Sequence, residues 1–470
     1  MLYKSLKQHA EDVKAIQEHF KRISAEKISL QPAKNLQSNM TLERHYKEKT
    51  ANLNINNLNA IISINKEYVH VEPKVTMDML LKETLSENLV PYVLPEFKGI
   101  TVGGAIMGAS LESSSHAFGQ FNDNCIEYEV LLDDGSVVIA TPTENSDLFY
   151  ALSSSYGTLG IILSAKIKLT RASKWVLLEY HHFTDNKKML IALENFYSEN
   201  TAPDYIEAII FSKSHSVIIT GKKVFTLLKQ IKKNHLYCQK PWFYSHVEQA
   251  TEKELVPLYD YLFRYDKGAF WMGSYLANWR SLWQYLTKVK DNKPLTTHQK
   301  VPSSILNEMV PLIFGKFLGS TNLYKALHAM PKGWFKNNFV VQDFYIPVEK
   351  ALEFIEHAIE TTQIFPLWVC PIKSTQSGQI LAPHYTTEDS MLLDIGIYGA
   401  PRTDLGAIYH TKDLEKKAFM LNGRKMLYAD TFYTKNEFWA IYQKSSYDFI
   451  RKTYHADKAF LPIDEKVLSL

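Results

Sequence analysis

The sequence predicts an α+β fold, in which a first part built of short strands and helices is followed by a larger, mixed α/β part. Three observations carry this. Two short strand-like runs precede a capped helix before residue 90. Asp134-Gly135 stands between two strand-like runs, the strongest short hairpin signal. From about residue 174 the glycine punctuation stops, and aromatic-rich strand-like and helix-like runs alternate. A polypeptide of 470 residues, 46% apolar and 13% aromatic, has material for a large core spread over roughly two or three domains. Lys and Arg number 53 against 50 Asp and Glu, with both signs interspersed, so the sequence does not predict a nucleic-acid binder. A small or apolar ligand suits that balance better.

In sequence order, Leu6, Ala10, Val13, Ile16, Phe20 and Ile23 recur by threes and fours and predict an opening helix, with Lys, Glu, Gln and His on its polar face. "NNLNAIISI" and "EYVHVEP" read as strands, and "TMDMLLKETLSEN" as a helix capped by Thr76. "EYEVLL" and "SVVIA" flank Asp134-Gly135, "NSDLFYAL" reads as a helix, and Ala165, Ile167 and Leu169 alternate as in a half-buried strand. A domain boundary is expected at Ala172 to Lys174. Val224, Leu227, Leu228 and Ile231 against Lys222, Lys223, Lys229, Lys232 and Lys233 predict a basic amphipathic helix, a candidate peripheral membrane contact.

Cys125, Cys238 and Cys370 are far apart and form no C-x-x-C pair, so neither a disulfide framework nor a metal site is expected. The opening residues lack an apolar h-region, and no run approaches the roughly 18 to 20 apolar residues of a membrane span. A cytoplasmic protein without signal peptide or transmembrane helix is expected.

The densest chemical signal is "PEFKGITVGGAIMGASLESSSHAFGQFNDN". Glycines there permit close backbone approach, and consecutive N–H groups with serine hydroxyls can cradle a pyrophosphate without Lys or Arg. The predicted cofactor-binding residues are Thr101, Val102, Gly103, Gly104, Ala105, Met107, Gly108, Ala109, Ser110, Glu112, Ser113, Ser114, Ser115 and His116 in a tight loop, with Gly157, Thr158, Gly160, Ile161 and Ile162 in a second. Neither G-x-x-x-x-G-K-[ST] nor G-x-G-x-x-G occurs, so this is not a Walker loop or a Rossmann turn. A nucleophile elbow is also absent, so Ser113 to His116 do not read as a hydrolase pair. His116 either faces the ligand or caps the loop.

"VHVEPKVTMDMLL", "TVGGAIMGAS", "GSVVIATPTENSDLFYAL" and "YGTLGIILSAKIKL" resemble, in order, the FAD-binding domain of the vanillyl-alcohol-oxidase (PCMH-type) flavoproteins. Within them "TVGGAIMGASLESSSHAFG", "VVQDFYIPVEKAL", "LLDIGIYGAPR" and "KMLYADTFYTKNEFWAIY" are similar to the Δ24-sterol reductase branch. The resemblance implies a PCMH-type FAD-binding domain at 1–173, a mixed α/β substrate cap at 174–425 and a segment at 426–470 that returns to the flavin domain. It also implies noncovalent FAD, since the loop lacks the histidine that tethers flavin in some relatives. NADPH would be the electron donor and a sterol or isoprenoid lipid the substrate. The first pyrophosphate loop departs from the family: "SLQPAKNLQSNMT" contains Pro32 and no glycine.

Reducing an isolated alkene needs a positioned acid beside the hydride donor. Candidates are Asp343, Asp394, Tyr428, Asp430 and Glu112. The aromatic run "YLFRYDKGAFWMGSYLANW" and "VPLIFGKFLG" are candidate walls of an apolar pocket. The residues alone also admit an FAD-dependent oxidase of a polyol, aldonolactone or lipid-linked sugar, or a flavin-free lipid-binding protein.

Overall fold

In the computed structural model, which describes residues 3–24, 28–30, 50–198, 202–226, 231–234, 242–277, 319–328, 333–375, 378–386 and 391–469, helix α1 (Leu6–Ile23) begins at a Ser5–Gln8 capping box. Val13, Ile16 and Phe20 are buried as their spacing predicts, but Leu6 and Ala10 face solvent and His9 lies inside. The cause is an ion pair on each ring nitrogen: Nδ1 lies 2.8 Å from Glu72 Oε1 and Nε2 2.6 Å from Glu129 Oε2. Burial alone would lower the His9 pKa, but the bonds to Glu129 and Glu72 outweigh it and lift it to about 9. A folded pKa above the unfolded one stabilises the fold fully below about pH 6.5, and this is lost as pH rises through about 9. The contribution is on the order of 3 kcal/mol. Wild type is therefore expected to lose more thermal stability between pH 7 and pH 9.5 than His9→Gln, as read from paired melting curves.

The first main sheet follows the predicted β-β-α order. Strands β1 (Ile28–Leu30) and β2 (Ala51–Leu53) form a small parallel pair ahead of it. Then β3 (Ile61–Ile64) and β4 (Tyr68–Val71) pair antiparallel, and α2 (Met77–Ser86) starts where Thr76 Oγ1 accepts the Met79 N–H at 3.3 Å. After β5 (Leu89–Pro91), β6 (Cys125–Leu131) and β7 (Val137–Ala140) form the hairpin around Gly135, whose φ of +82° suits glycine. Strand β8 (Ile161–Arg171) runs through the middle, pairing β4, β5 and β6.

Only three residues separate β8 from β9 (Trp175–Phe183), which belongs to a different, nine-stranded sheet. Its order is β12-β13-β9-β11-β10-β15-β16-β14-β17, from β10 (Tyr205–Ser212), β11 (His215–Val224), β12 (Lys232–Lys233), β13 (Glu254–Pro257), β14 (Val340–Pro347), β15 (Leu367–Lys373), β16 (Met391–Gly399) and β17 (Arg424–Lys425). One face is mostly apolar: Ile206, Ala208, Val340, Phe344, Val369, Leu393 and Ile395 pack under helices at Asn186–Ser198, Val348–Thr362 and Ala407–Met420. The other face carries Tyr205, Glu207, Trp368, Cys370, Asp343, Tyr345, Asp394 and Tyr398, and looks toward the glycine-rich segments of the first sheet. Alternation on β14 and β16 therefore sorts the oily residues to one side and the chemistry to the other.

The basic helix expected at Lys222 to Lys233 does not form over the described part. Lys222 and Lys223 end strand β11, in register with Leu177 and Val176, and Lys232 and Lys233 form β12 beside Glu254 and Leu255. The ladder to β9 and the apolar alternation of "SVIIT" outweigh a helical period; Leu227, Leu228 and Lys229 lie outside the described residues. The C-terminal residues pack back on the first sheet: Arg451 donates to the carbonyls of Thr158 at 2.7 Å and Phe460 at 2.9 Å, and Asp133 accepts the Lys458 and Ala459 N–H groups.

Candidate active site

One wall comes from the glycine-rich segment, which is more regular than the predicted loop. Residues Val102–Met107 form a short helix, α3, capped by Thr101 Oγ1 accepting the Gly104 N–H at 3.2 Å. Two glycines are tolerated because the turn is packed from outside: a Cβ on Gly103 would stand 2.9 Å from Pro73 Cβ. Val102 and Ala105 turn into the core, whereas Gly104 is exposed and Thr101, Met107, Gly108 and Ser110 are half-buried. Ala109 is left-handed at φ +53°.

Ser113, Ser114, Ser115 and His116 serve the protein itself. Ser114 Oγ donates to the Tyr92 carbonyl, Ser115 Oγ accepts from the Glu112 N–H, and Ser113 Oγ bonds Glu112 and the Tyr261 hydroxyl. His116 places Nδ1 2.9 Å from the Ser113 carbonyl and Nε2 3.0 Å from that of Pro203, so a neutral ring donates to one of these carbonyls and both nitrogens face backbone. Burial lowers its pKa. Of the two roles open to it, the geometry gives loop capping.

The second glycine loop meets the first through Ser155 Oγ, 3.3 Å from Met107 Sδ. Ser154, Tyr156 and Gly157 all have φ between +53° and +71°, the left-handed backbone from which anion-binding nests are built. Ser153 and Ser154 carry buried hydroxyls without partners among the described residues. Thr158 is held from behind by Tyr447 and Arg451, and Gly160 lies where a Cβ would be 2.5 Å from Val130 Cγ1. Ile161 and Ile162 are buried at the start of β8. Orphaned serine hydroxyls, an exposed Gly104 and this nest fit the pyrophosphate of a dinucleotide such as FAD. The glycine-less segment at 29–41 lies almost wholly outside the described residues.

The opposite wall is the polar face of the nine-stranded sheet. Asp343 accepts hydrogen bonds from the hydroxyls of Tyr398 on one oxygen and Tyr428 on the other. Burial pushes its pKa up to about 6, against the pull of the two phenols and Lys425. Burial, then the Asp343 charge, holds the Tyr428 phenol well above its usual range, so it stays protonated. Asp394 lies on the same face, in register with Tyr345, whose hydroxyl accepts from Gln120 Nε2 at 2.9 Å. Of the predicted acids, Asp343, Asp394 and Tyr428 are thus brought together. Asp430 is not: its carboxylate accepts from Ser469 Oγ at 2.9 Å, toward the tail.

Glu112 sits in a separate buried triad. Arg264 Nη2 is 2.7 Å from Glu112 Oε1 and its Nε is 2.8 Å from Glu207 Oε1, while Glu207 Oε2 accepts from Tyr265 and Trp368. The Glu112 pKa is raised, because burial outweighs a guanidinium that is shared with Glu207. The aromatic run over Tyr261, Phe263, Tyr265, Phe270 and Trp271 is core, 5% exposed or less, and Trp271 Nε1 donates to the Tyr398 carbonyl at 2.7 Å. Residues 310–318 lie outside the described residues.

Sequence reading missed Tyr398, Glu96, Gln120, Glu207 and Arg264. Tyr398 had a signal, since Asp394, Gly396 and Tyr398 share one strand face by period two. Gly396 is required there: a Cβ would collide with the Tyr398 hydroxyl and stand 2.9 Å from Asp343 Oδ1. Gly396→Ala is expected to displace Tyr398 and lower kcat by up to about 100-fold with flavin still bound, as read from steady-state rates beside flavin absorbance.

Among the described residues there is no group of three or more potential metal ligands, and no helix is long and apolar enough to cross a membrane. A family model described as an FAD binding domain matches residues 8–141. The protein is 31% identical over 433 residues to the Delta(24)-sterol reductase of Homo sapiens, spanning 90% of its own length and 78% of that relative. It is 27% identical over 445 residues to that of Pisum sativum, spanning 86% and 74%. A shorter likeness, 30% over 152 residues, is to cytokinin dehydrogenase 9 of Oryza sativa subsp. japonica, spanning 31% of this protein and 28% of that one. With two glycine loops fit for a dinucleotide facing a tyrosine-bridged carboxylate, and with that identity over most of both sequences, this protein belongs to the Delta(24)-sterol reductase family of FAD-dependent oxidoreductases.

Proposed function

We propose that this protein reduces a carbon–carbon double bond in the aliphatic tail of a sterol or related isoprenoid lipid, with NADPH as electron donor and FAD held without a covalent tether. The observation that carries the reading beyond family is the Tyr398–Asp343–Tyr428 bridge, buried beside an aromatic core and opposite the glycine loops. In this reading residues 1–173 and 426–470 hold the flavin and 174–425 cover the substrate. Gly104, Ser153, Ser154 and the turn at Tyr156-Gly157 would hold the pyrophosphate. When bound, reduced FAD supplies the hydride.

What the protein itself contributes is a proton in the right place. An isolated alkene offers no carbonyl to accept charge, so protonation of one carbon must accompany hydride arrival at the other. Tyr428 carries that proton. Asp343 accepts its O–H bond and fixes the phenol, with Tyr398 locking the second carboxylate oxygen. The aromatic surroundings exclude water and leave a sterol few polar groups to desolvate.

The test is anaerobic. Protein loaded with FAD is reduced by NADPH and mixed with desmosterol, while visible absorbance and cholesterol are followed. Flavin reoxidation with stoichiometric cholesterol is the expected result. Flavin that binds but stays reduced would favour the alcohol oxidase, and failure to take up flavin would leave the binding protein.

A further inference from the structure

We propose that Glu96 and Asp394 form a proton-uptake path that refills Tyr428 through Asp343 on every turnover. The inference rests on the reductase reading above and deepens it, naming where the consumed proton comes from.

The need follows from the bridge itself. Once the Tyr428 proton leaves, a phenolate stands within hydrogen-bond reach of the Asp343 carboxylate. Two adjacent negative charges in a buried site are prohibitively costly, so a proton must arrive as the first departs.

Asp394 is placed to send it. In the β14–β16 register Asp343 faces Gly396 and Asp394 faces Tyr345, so the two carboxyl groups are diagonal neighbours on one face. Such positions lie roughly 7–8 Å apart at the backbone, within reach of two side chains or of one bridging water. Gly396, having no side chain, lets Asp343 Oδ1 and the Tyr398 hydroxyl lie against the Asp394 strand, where a Cβ would stand 2.9 Å from Oδ1. Asp394 is fully buried, and neither of its oxygens has a partner among the described residues.

Among the described residues, a carboxylate there would meet acids and neutral groups: Asp343 and Tyr345 from β14, Tyr398 on its own strand, Cys370 from β15 and Glu96 from the segment ahead of α3. The nearby cations are engaged elsewhere, Lys425 by Glu415 at 2.9 Å and Arg264 by Glu112 and Glu207. Burial first, then Asp343 and Glu96, hold the Asp394 pKa well above the carboxylate range, so it is stored as the neutral acid.

Glu96 supplies the mouth. It is only half-buried, and the ring of the adjoining Phe97 packs on Phe270, which packs in turn on Tyr398 of the Asp394 strand at 5.0 Å, so a carboxyl in reach of solvent stands on a segment packed against the same aromatic cluster. Burial and the charge of Glu112 lift it to about 8, near the pH at which a group exchanges protons with water most usefully. The balance is simple. One proton passes from the Tyr428 oxygen to the alkene carbon, one from Asp394 by way of Asp343 to the Tyr428 oxygen, and one from water through Glu96 to Asp394. The hydride with its electron pair is the one already named. Glu96 and Asp394 act through Tyr428 and are positioning residues, not catalytic ones.

The experiment uses the full-length protein in two forms. In the flavin-free protein at pH 7, infrared difference spectra should show two protonated carboxyl bands, one lost in Asp394→Asn and the other in Glu96→Gln, the latter also fading between pH 7 and 9. In the FAD-loaded enzyme, Asp394→Asn should slow flavin reoxidation by desmosterol about 100-fold. NADPH reduction of the flavin and KM should stay unchanged, and a small weak acid in the buffer should restore the rate in proportion to its protonated concentration. Glu96→Gln, isosteric at a half-buried position, should fold as wild type and slow proton uptake measured with an indicator dye. Wild-type reoxidation in Asp394→Asn, absence of its infrared band, or flavin reduction slowed equally would overturn the path. If wild type itself does not pass electrons to desmosterol, the reductase reading fails, and the infrared bands then judge the stored protons alone.

Discussion

Tyr428→Phe is expected to lower the rate at which a sterol reoxidises the reduced flavin by about 10²- to 10⁴-fold, the usual contribution of one positioned acid. The phenyl ring fills the same space, so KM and the NADPH half-reaction should hardly move. That split separates loss of a proton donor from loss of a pocket. Asp343→Asn should cost a similar amount by a different route: an amide in place of the carboxylate accepts on one atom only, so one of the two tyrosines loses its anchor. It should also change the pH profile. Asp343 has a pKa raised to about 6, and protonation turns one acceptor oxygen into a donor. Wild-type kcat should therefore fall below about pH 6 and hold above it, with the acid limb absent in Asp343→Asn. A Tyr428→Phe enzyme with full kcat would move the acid role to Asp394 or Glu96.

Local signals carried much of the architecture. Thr76 ahead of an apolar run marks a helix start because its hydroxyl meets an N–H that the helix cannot bond itself, and Gly135 marks a turn because only glycine adopts its φ without strain. Asp343 and Asp394 were legible as candidate acids, and the β14–β16 register sets them on one face. Other features were illegible because their cause lies far along the sequence. His9 looked like a surface residue until Glu72 and Glu129, 63 and 120 residues away, bracketed its ring. Lys222 and Lys223 fit a helical stripe in isolation, but the ladder to β9 imposes the strand. The helix at 102–107 was hidden by two glycines, whose tolerance depends on Pro73 packing against them. Arg264 offered one unused hint, a charge set between Phe263 and Tyr265 in an aromatic run, where a buried cation implies a buried carboxylate.

Arg264→Ala is expected to cost about 3–5 kcal/mol of folding stability, the penalty for breaking a buried ion pair by removing one partner. The triad is wholly buried, and its two carboxylates come from the glycine segment and from β10, while the arginine comes from the aromatic run. Without the guanidinium, Glu112 and Glu207 face each other in a medium that solvates neither, and the rings of Tyr261 and Tyr265 lose the cation packed on them at 4.2 and 4.8 Å. Urea denaturation with paired flavin titration checks this: the midpoint should fall and FAD binding should weaken with it, because Glu112 and Ser113 belong to the segment that follows α3. A second variant distinguishes strength from register. If the triad serves mainly stability, Glu112→Gln/Arg264→Met/Glu207→Gln should stay as unstable as Arg264→Ala. Removing all three charges together instead abolishes the desolvation penalty, so the triple variant should recover most of the lost stability. Activity should not return with it, since amides and a thioether do not fix the aromatic run at one angle to Tyr398 and the sheet. Stability regained without turnover would show that the buried charges set the position of the aromatic wall, at no net gain to the fold.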